Sequence, residues 1–249
     1  MAGTAVLGRL TWQVAEVTDS VRETSRVVTI VLDAAPAWPG HRAGQHLDVR
    51  LTAEDGYQAQ RSYSIASAPE EPLAITVERL DDGEVSPYLA DELRAGDGLE
   101  IRGPIGGYFV WEASTDCPLL LVAGGSGVVP LMAMLRHRAA SGSDVPARLL
   151  YSSRAWEDVI YQDELERLAE DTRVEVVHTL TRTQPPGWTG YARRLDVEML
   201  RDVAWPPEEA ARAFVCGPTP FVETAADGLV EVGYAPASIR TERFGATGG

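Results

Sequence analysis

The 249-residue chain contains no lysine: all 22 of its basic residues are arginine. With its abundant alanine, this reads as the imprint of a G+C-rich coding sequence, not as a functional device. Basic residues are also outnumbered by 37 acidic ones, and the net charge is −15 at pH 7. Such a balance offers no basic face to displace the counterions of a nucleic acid, and none to hold an anionic membrane. Cysteine is scarce, with only Cys117 and Cys216. Two thiolates cannot ligate an iron–sulfur cluster, nor build a structural zinc site unaided. Without a secretory signal at the N-terminus, a disulfide between them is not expected. No apolar run approaches the roughly 18 residues of a spanning helix. His41, His46, His137 and His178 show no ligand spacing, so no metal site is expected. These absences describe a cytoplasmic protein, expected to be monomeric, with neither nucleic acid nor membrane as partner.

What is present is ordinary globular composition, 45% hydrophobic and 24% charged, in a chain long enough for two domains. The pattern changes near Glu112–Cys117, which predicts domains over 8–113 and 116–249. Before the change lie short β-branched or alternating runs: Trp12–Val17, Val27–Leu32, Gln45–Leu51, Arg61–Ala66, Ala74–Arg79 and Leu99–Arg102. Glycine, proline and aspartate separate them, as in an antiparallel barrel. One helix, Pro87–Leu93, is expected among them, capped by Ser86. After the change strands and helices alternate. The strands are Pro118–Ala123, Arg148–Tyr151, Val174–Leu180, Ala213–Cys216 and Ile239–Phe244. The helices are Leu131–Ala140 (beginning near Pro130), Tyr161–Asp171, Val197–Val203 and Pro220–Val232. That alternation, with the continuous apolar run of Pro118–Ala123, predicts a doubly wound parallel sheet. The fold class is therefore β plus α/β: a six-stranded antiparallel barrel, then a parallel-sheet nucleotide domain.

Ligands of a parallel sheet bind beyond the carboxyl ends of its strands, and the unusual residues of the second half collect there. Gly124-Gly125-Ser126-Gly127 follows the first strand, Ser152-Ser153-Arg154 the second and Thr181-Arg182 the third. Cys216-Gly217-Pro218 follows the fourth, and Glu242 lies near the end of the fifth. Glycine-rich backbone running into a helix start offers free N–H groups to phosphate. The loop lacks the third glycine of a dinucleotide fingerprint, since Pro130 stands in its place, and a structural tight turn fits it as well; its position after an apolar strand favours the anion site. In the first half, Arg61-Ser62-Tyr63-Ser64 combines a phosphate fork, a flat ring and small donors. Gly83-Glu84-Val85-Ser86 supplies a second helix start for the same phosphates. Cradles in both halves imply two bound nucleotides.

The succession RSYS, GEVS, GPIGGYF, AGGSGVVP, YSSR, VCGP and a terminal ERF resembles the ferredoxin–NADP⁺ reductase family over roughly Trp12–Gly245. The resemblance implies a flavin-binding barrel followed by a pyridine-nucleotide domain. It implies that Arg61, Gly83, Val85 and Ser86 contact the FAD pyrophosphate, and that Tyr63 lies along the flavin with Ser62 in the same motif. It places Ser64 near flavin N5, with Val77 and Arg79 lining the groove. Gly124, Gly125, Ser126, Gly127 and Pro130 would hold the nicotinamide nucleotide. Cys216 would stand at nicotinamide C4, flanked by Gly217 and Pro218. Glu242 and Phe244 match the family's Glu-x-aromatic ending, the ring covering the flavin; here Phe replaces Tyr and the chain runs on through Gly245–Gly249. Ser153 and Arg154, with Tyr161 packing the adenine and Arg182 assisting, favour NADPH; NADH remains possible. The implied activity is FAD-dependent hydride transfer from NADPH, catalysed with Ser64, Cys216 and Glu242. Electrons would then pass to a separate acceptor, such as an iron–sulfur protein or an oxygenase component. The alternatives are a reductase of free flavin or ferric complexes, and an electron-transfer subunit docked in a larger complex.

Overall fold

The computed structural model describes residues 10–34 and 38–244. Residues 8–9 and 245–249, included in the expected domains, lie outside the described residues.

Six strands form the first sheet: β1 (Gln13–Arg22), β2 (Val27–Ala34), β3 (His46–Thr52), β4 (Gln58–Ser64), β5 (Leu73–Glu78) and β6 (Gly98–Ile105). Their order is β4-β3-β6-β1-β2-β5, and every pairing is antiparallel. An antiparallel bridge from Ile65 to Ile75 brings the end of β4 back to β5 and closes the sheet on itself. Alternation decides which side chains turn inward: Ala15 and Val17 are buried while Val14 and Glu16 are exposed. The single helix between β5 and β6, α1, spans only Ser86–Asp91. Ser86 does not cap it. Val85 holds the cap position without a side-chain bond, and the Ser86 Oγ instead accepts from the Leu80 N–H at 3.1 Å.

The second sheet holds β7 (Leu119–Gly124), β8 (Ala147–Ser153), β9 (Val174–Leu180), β10 (Arg212–Pro218) and β11 (Ile239–Phe244). They run in the order β11-β10-β7-β8-β9, all parallel. The helices are α2 (Val128–Ala140), α3 (Gln162–Leu168), α4 (Val197–Val203) and α5 (Thr219–Glu231). The apolar run of β7 is explained by its two covered faces. Leu119, Leu121 and Ala123 join the cluster of α2 and α3, whereas Leu120 and Val122 join that of α4 and α5. Helix α2 begins at Val128, earlier than its apolar spacing suggests. Val128–Leu135 is buried on every side, because α2 is wedged between the sheet and barrel residues such as Ala43, Phe109 and Trp111. Helix α3 stops at Leu168, short of the expected Asp171. There the Asp171 carboxylate accepts from Arg138 Nη1 at 2.9 Å and from the Arg173 backbone N–H at 2.9 Å, which turns the chain. Among the described residues no helix is long and apolar enough to cross a membrane.

Candidate active site

Strands β7 and β10 are neighbours, yet the chain leaves them toward opposite edges of the sheet, making the crevice between their carboxyl ends a topological switch point. Two glycines there are fixed by close approach. A Cβ on Gly127 would stand 2.1 Å from the Cys216 carbonyl oxygen, and one on Gly124 2.9 Å from the Phe221 ring. Gly125 differs: its φ is +56° and nothing lies within 4 Å of the Cβ position, so its backbone opens into free space. The turn Gly125–Gly127 enters α2, whose N-terminus has no side-chain cap and carries Pro130 in its first turn. Helix N–H groups left without a cap are the donors an anion uses.

A cavity of about 500 Å³ opens at this point. The parallel sheet contributes Gly124, Gly125, Ser126, Ser153, Arg154, Pro218 and Phe244 to its walls, and the barrel contributes Thr24, Arg26, Val27 and Glu78. The Ser126 hydroxyl donates to Glu78 Oε2 across the cleft at 2.8 Å. Ser153 is buried in the wall, while Arg154 is exposed at the rim. Among the described residues the Arg154 guanidinium makes no hydrogen bond or ion pair, and neither does that of Arg194, a lining residue the sequence did not single out. A loop arginine ahead of a helix cap carries no motif, so only its position revealed it. Arg182, exposed beyond β9, does not line the cavity.

At the barrel side, β4 alternates. Arg61 Nη2 donates to Glu84 Oε2 at 2.8 Å, and Tyr57 reaches the same carboxylate at 2.7 Å. Tyr63 shares the face of Arg61 and packs against the barrel core, which pushes its phenol pKa up. Ser62 points away from them and donates to Asp48 Oδ1 at 2.6 Å, so its side chain does not join the motif's other members. The Val77 and Val85 side chains are fully buried in the barrel core, where apolar surface is most favourable, which leaves their backbone to face a ligand. Arg79 is tied to Asp91 at 2.6 Å and to Asp81. Gly83 must be small, because a Cβ would meet Ser86 Oγ at 2.7 Å.

The three residues expected to act in catalysis meet across the two halves. Cys216 and Glu242 are register partners on adjacent parallel strands, as are Pro218 and Phe244. The Cys216 thiol is fully buried; burial pushes its pKa up, and the Glu242 carboxylate adds to the shift. Burial also raises Glu242, to about 7, and the nearby Ser64 hydroxyl, at the end of β4, opposes that rise. A barrel strand and two sheet strands thus converge on one carboxyl that exchanges its proton near neutrality. Phe244, at the last described position of β11, is exposed and edges the cavity. Gly217 has Phe221 against it, 2.9 Å from where a Cβ would lie.

Tyr161, expected to pack the adenine, does not line the cavity. It is buried at the junction with the barrel, its hydroxyl donating to Thr76 Oγ1, and burial lifts its pKa to about 12. Its large apolar ring gains more from the interdomain core than from a solvent-facing nucleotide wall. Both cysteines are free thiols. No group of three or more potential metal ligands occurs among the described residues.

Residues 13–110 match the oxidoreductase FAD-binding domain family, and residues 121–227 the oxidoreductase NAD-binding domain family. The chain is 33% identical over 83% of its length to a glycine betaine monooxygenase reductase subunit of Chromohalobacter salexigens, of which it spans 56%. It is 30% identical over 78% of its length to NADH-cytochrome b5 reductase 1 of Aspergillus terreus, spanning 68% of that protein. A solved ferredoxin NADP⁺ reductase from Neisseria gonorrhoeae, bound to FAD and NADP, superimposes with a TM-score of 0.81 at 22% identity, covering 93% of this chain and 98% of that one.

Proposed function

This chain belongs to the ferredoxin reductase-like family of oxidoreductases, in which an FAD-binding domain precedes an NAD-binding domain, and on that premise we propose that it is an FAD-containing, NADPH-preferring reductase. Bound flavin would supply the exchange between a hydride, accepted from nicotinamide C4, and single electrons, which nicotinamide cannot release. The observation that carries the reading is the meeting of Ser64 with Cys216 and Glu242 beside a glycine turn that opens on a cleft between the two sheets.

The chain's own groups divide the work. Arg61, once exchanged from Glu84, offers its fork to the pyrophosphate of FAD, with Gly83 allowing close approach. Tyr63 presents its ring and Ser64 its hydroxyl to the flavin. The turn Gly124–Gly127 and the uncapped start of α2 take the nicotinamide nucleotide's phosphates. Arg154, unpaired at the rim, favours a 2′-phosphate over a bare ribose hydroxyl, and Arg194 faces the same cavity. Phe244 forms a wall that excludes water, and Cys216 is buried on the adjacent strand. Glu242 holds a proton below about pH 7, with the Ser64 hydroxyl near it.

One relative of this chain is by name the reductase subunit of a glycine betaine monooxygenase. The acceptor in this reading is a separate oxygenase or iron–sulfur component, in a cytoplasmic setting. The test is anaerobic stopped-flow reduction of the purified protein by each nicotinamide. We expect a yellow protein with bound FAD that NADPH bleaches faster than NADH does. A colourless protein that takes up no FAD, or a flavin that neither nicotinamide reduces, overturns the reading.

A further inference from the structure

Tyr161 sits ahead of α3 with φ at +61°, in the left-handed region. A bulky side chain keeps that conformation only where its surroundings hold it there. They do so on two sides. Its hydroxyl donates to Thr76 Oγ1 of β5, and Thr76 shares a 2.8 Å hydrogen bond with Thr29 of β2. Over its ring lies the Arg136 guanidinium of α2, 4.7 Å from the centroid. That guanidinium grips Glu164 of α3 with two bonds, 2.8 and 2.6 Å, and donates its remaining arm to the Ala66 carbonyl at 2.7 Å.

The assembly therefore crosses from the parallel domain to the barrel at Thr76 and at Ala66. Both anchor points adjoin the flavin side of the cleft: Ala66 follows Ser64 by two residues, and Thr76 precedes Glu78 by two. Glu78 in turn accepts from Ser126 of the glycine turn. We propose that Tyr161 and Arg136 are positioning residues, a clamp that fixes the separation of Ser64 from the Cys216–Glu242 pair and hence the gap a hydride must cross. The proposal rests on the reading of function above. Hydride transfer tolerates little play, since about 1 Å of misplacement costs about 100-fold in rate. A buried, fully bonded clamp beside the cleft holds the two cradles at one spacing, which loosely apposed domains would not do.

The experiment compares wild type with Tyr161→Phe, which keeps the ring and its arginine contact and removes one hydroxyl. Thr76→Val removes the same bond from the barrel side, and serves if Y161F fails to fold. Four quantities are read: the single-turnover rate of flavin reduction, the long-wavelength charge-transfer absorbance of the nicotinamide–flavin complex, the dissociation constants of FAD and NADPH, and amide exchange over residues 73–78 and 158–165. We expect the rate to fall about tenfold, as a sub-ångström shift would produce, with a weakened charge-transfer band. Dissociation constants should stay within about twofold, exchange should quicken on both sides of the junction, and the double variant should be no worse than either single one. Unchanged rate and band, even with a lowered melting temperature, would make Tyr161 merely structural and overturn the proposal; so would unchanged exchange. A wild-type flavin reduced by neither nicotinamide defeats the functional reading and the clamp's catalytic role with it, a result distinct from a working wild type matched by its variants.

Discussion

Glu242 and Cys216 occupy matched positions on adjacent strands, so the carboxylate's field reaches the thiol while burial raises both. The consequence for pH has a definite sign. Below the ordinary glutamate range both folded and unfolded chains carry the proton, and this residue contributes no difference. As pH rises from 4.5 toward 7 the unfolded chain releases the proton while the folded carboxyl keeps it, so stability falls with rising pH across that window. Glu242→Gln should flatten this part of the curve, measured by urea unfolding between pH 4.5 and 7.5, and should erase an inflection near pH 7 in the reduction rate. A stability curve that the substitution leaves untouched would mean an ordinary carboxylate. At the cavity rim, Arg154→Ala should narrow the NADPH-over-NADH rate ratio by about tenfold, the worth of one charge-assisted hydrogen bond. Arg194→Ala should narrow it further; equal ratios in wild type and both variants would assign the specificity elsewhere. Residue types such as Cys, Glu and Arg at strand ends were legible in the sequence. Which guanidinium faces the cavity was not, because a loop's path depends on what it packs against.

The glycine turn shows how an element can be chosen for two reasons at once. Gly125 is free for backbone approach, whereas Gly127 is required because β10 passes directly behind it. Gly127→Ala should therefore destabilise the protein by about 3 kcal/mol, at the upper end for overpacking, lowering the melting temperature by roughly 6–12 °C. Gly125→Ala should cost less, about 1 kcal/mol from its positive φ, and should weaken nicotinamide affinity. Thermal melts of the two variants separate the cases, and a Gly127→Ala protein as stable as wild type would contradict the packing argument. Strands and helices with strong patterns, such as β7, β9 and α4, stand where their sequences indicate. Element ends were less legible. The Ser86 hydroxyl serves Leu80 instead of the helix, and α3 is cut short by Asp171 turning to Arg138, a partner 33 positions earlier.

At the scale of the whole molecule, the cores of barrel and sheet are continuous. Val27, Ala43, Ala66, Phe109 and Trp111 pack in one cluster with α2. Apolar burial shared across a junction couples the stabilities of the parts it joins, so calorimetry should record one cooperative transition. Two well-separated peaks would show that the halves fold independently. The sequence by itself determined the two-part architecture and the parallel order of strand and helix, because these follow from local periodicity and from glycine and proline chemistry. Tertiary structure alone decided that Ser62, Val77 and Val85 turn their side chains elsewhere, that Arg194 faces the cavity, and that Tyr161 is buried against Thr76 of the barrel. Each of those outcomes depends on which surface lies opposite a side chain. That is a property of distant segments brought into contact, and no window of neighbouring residues contains it.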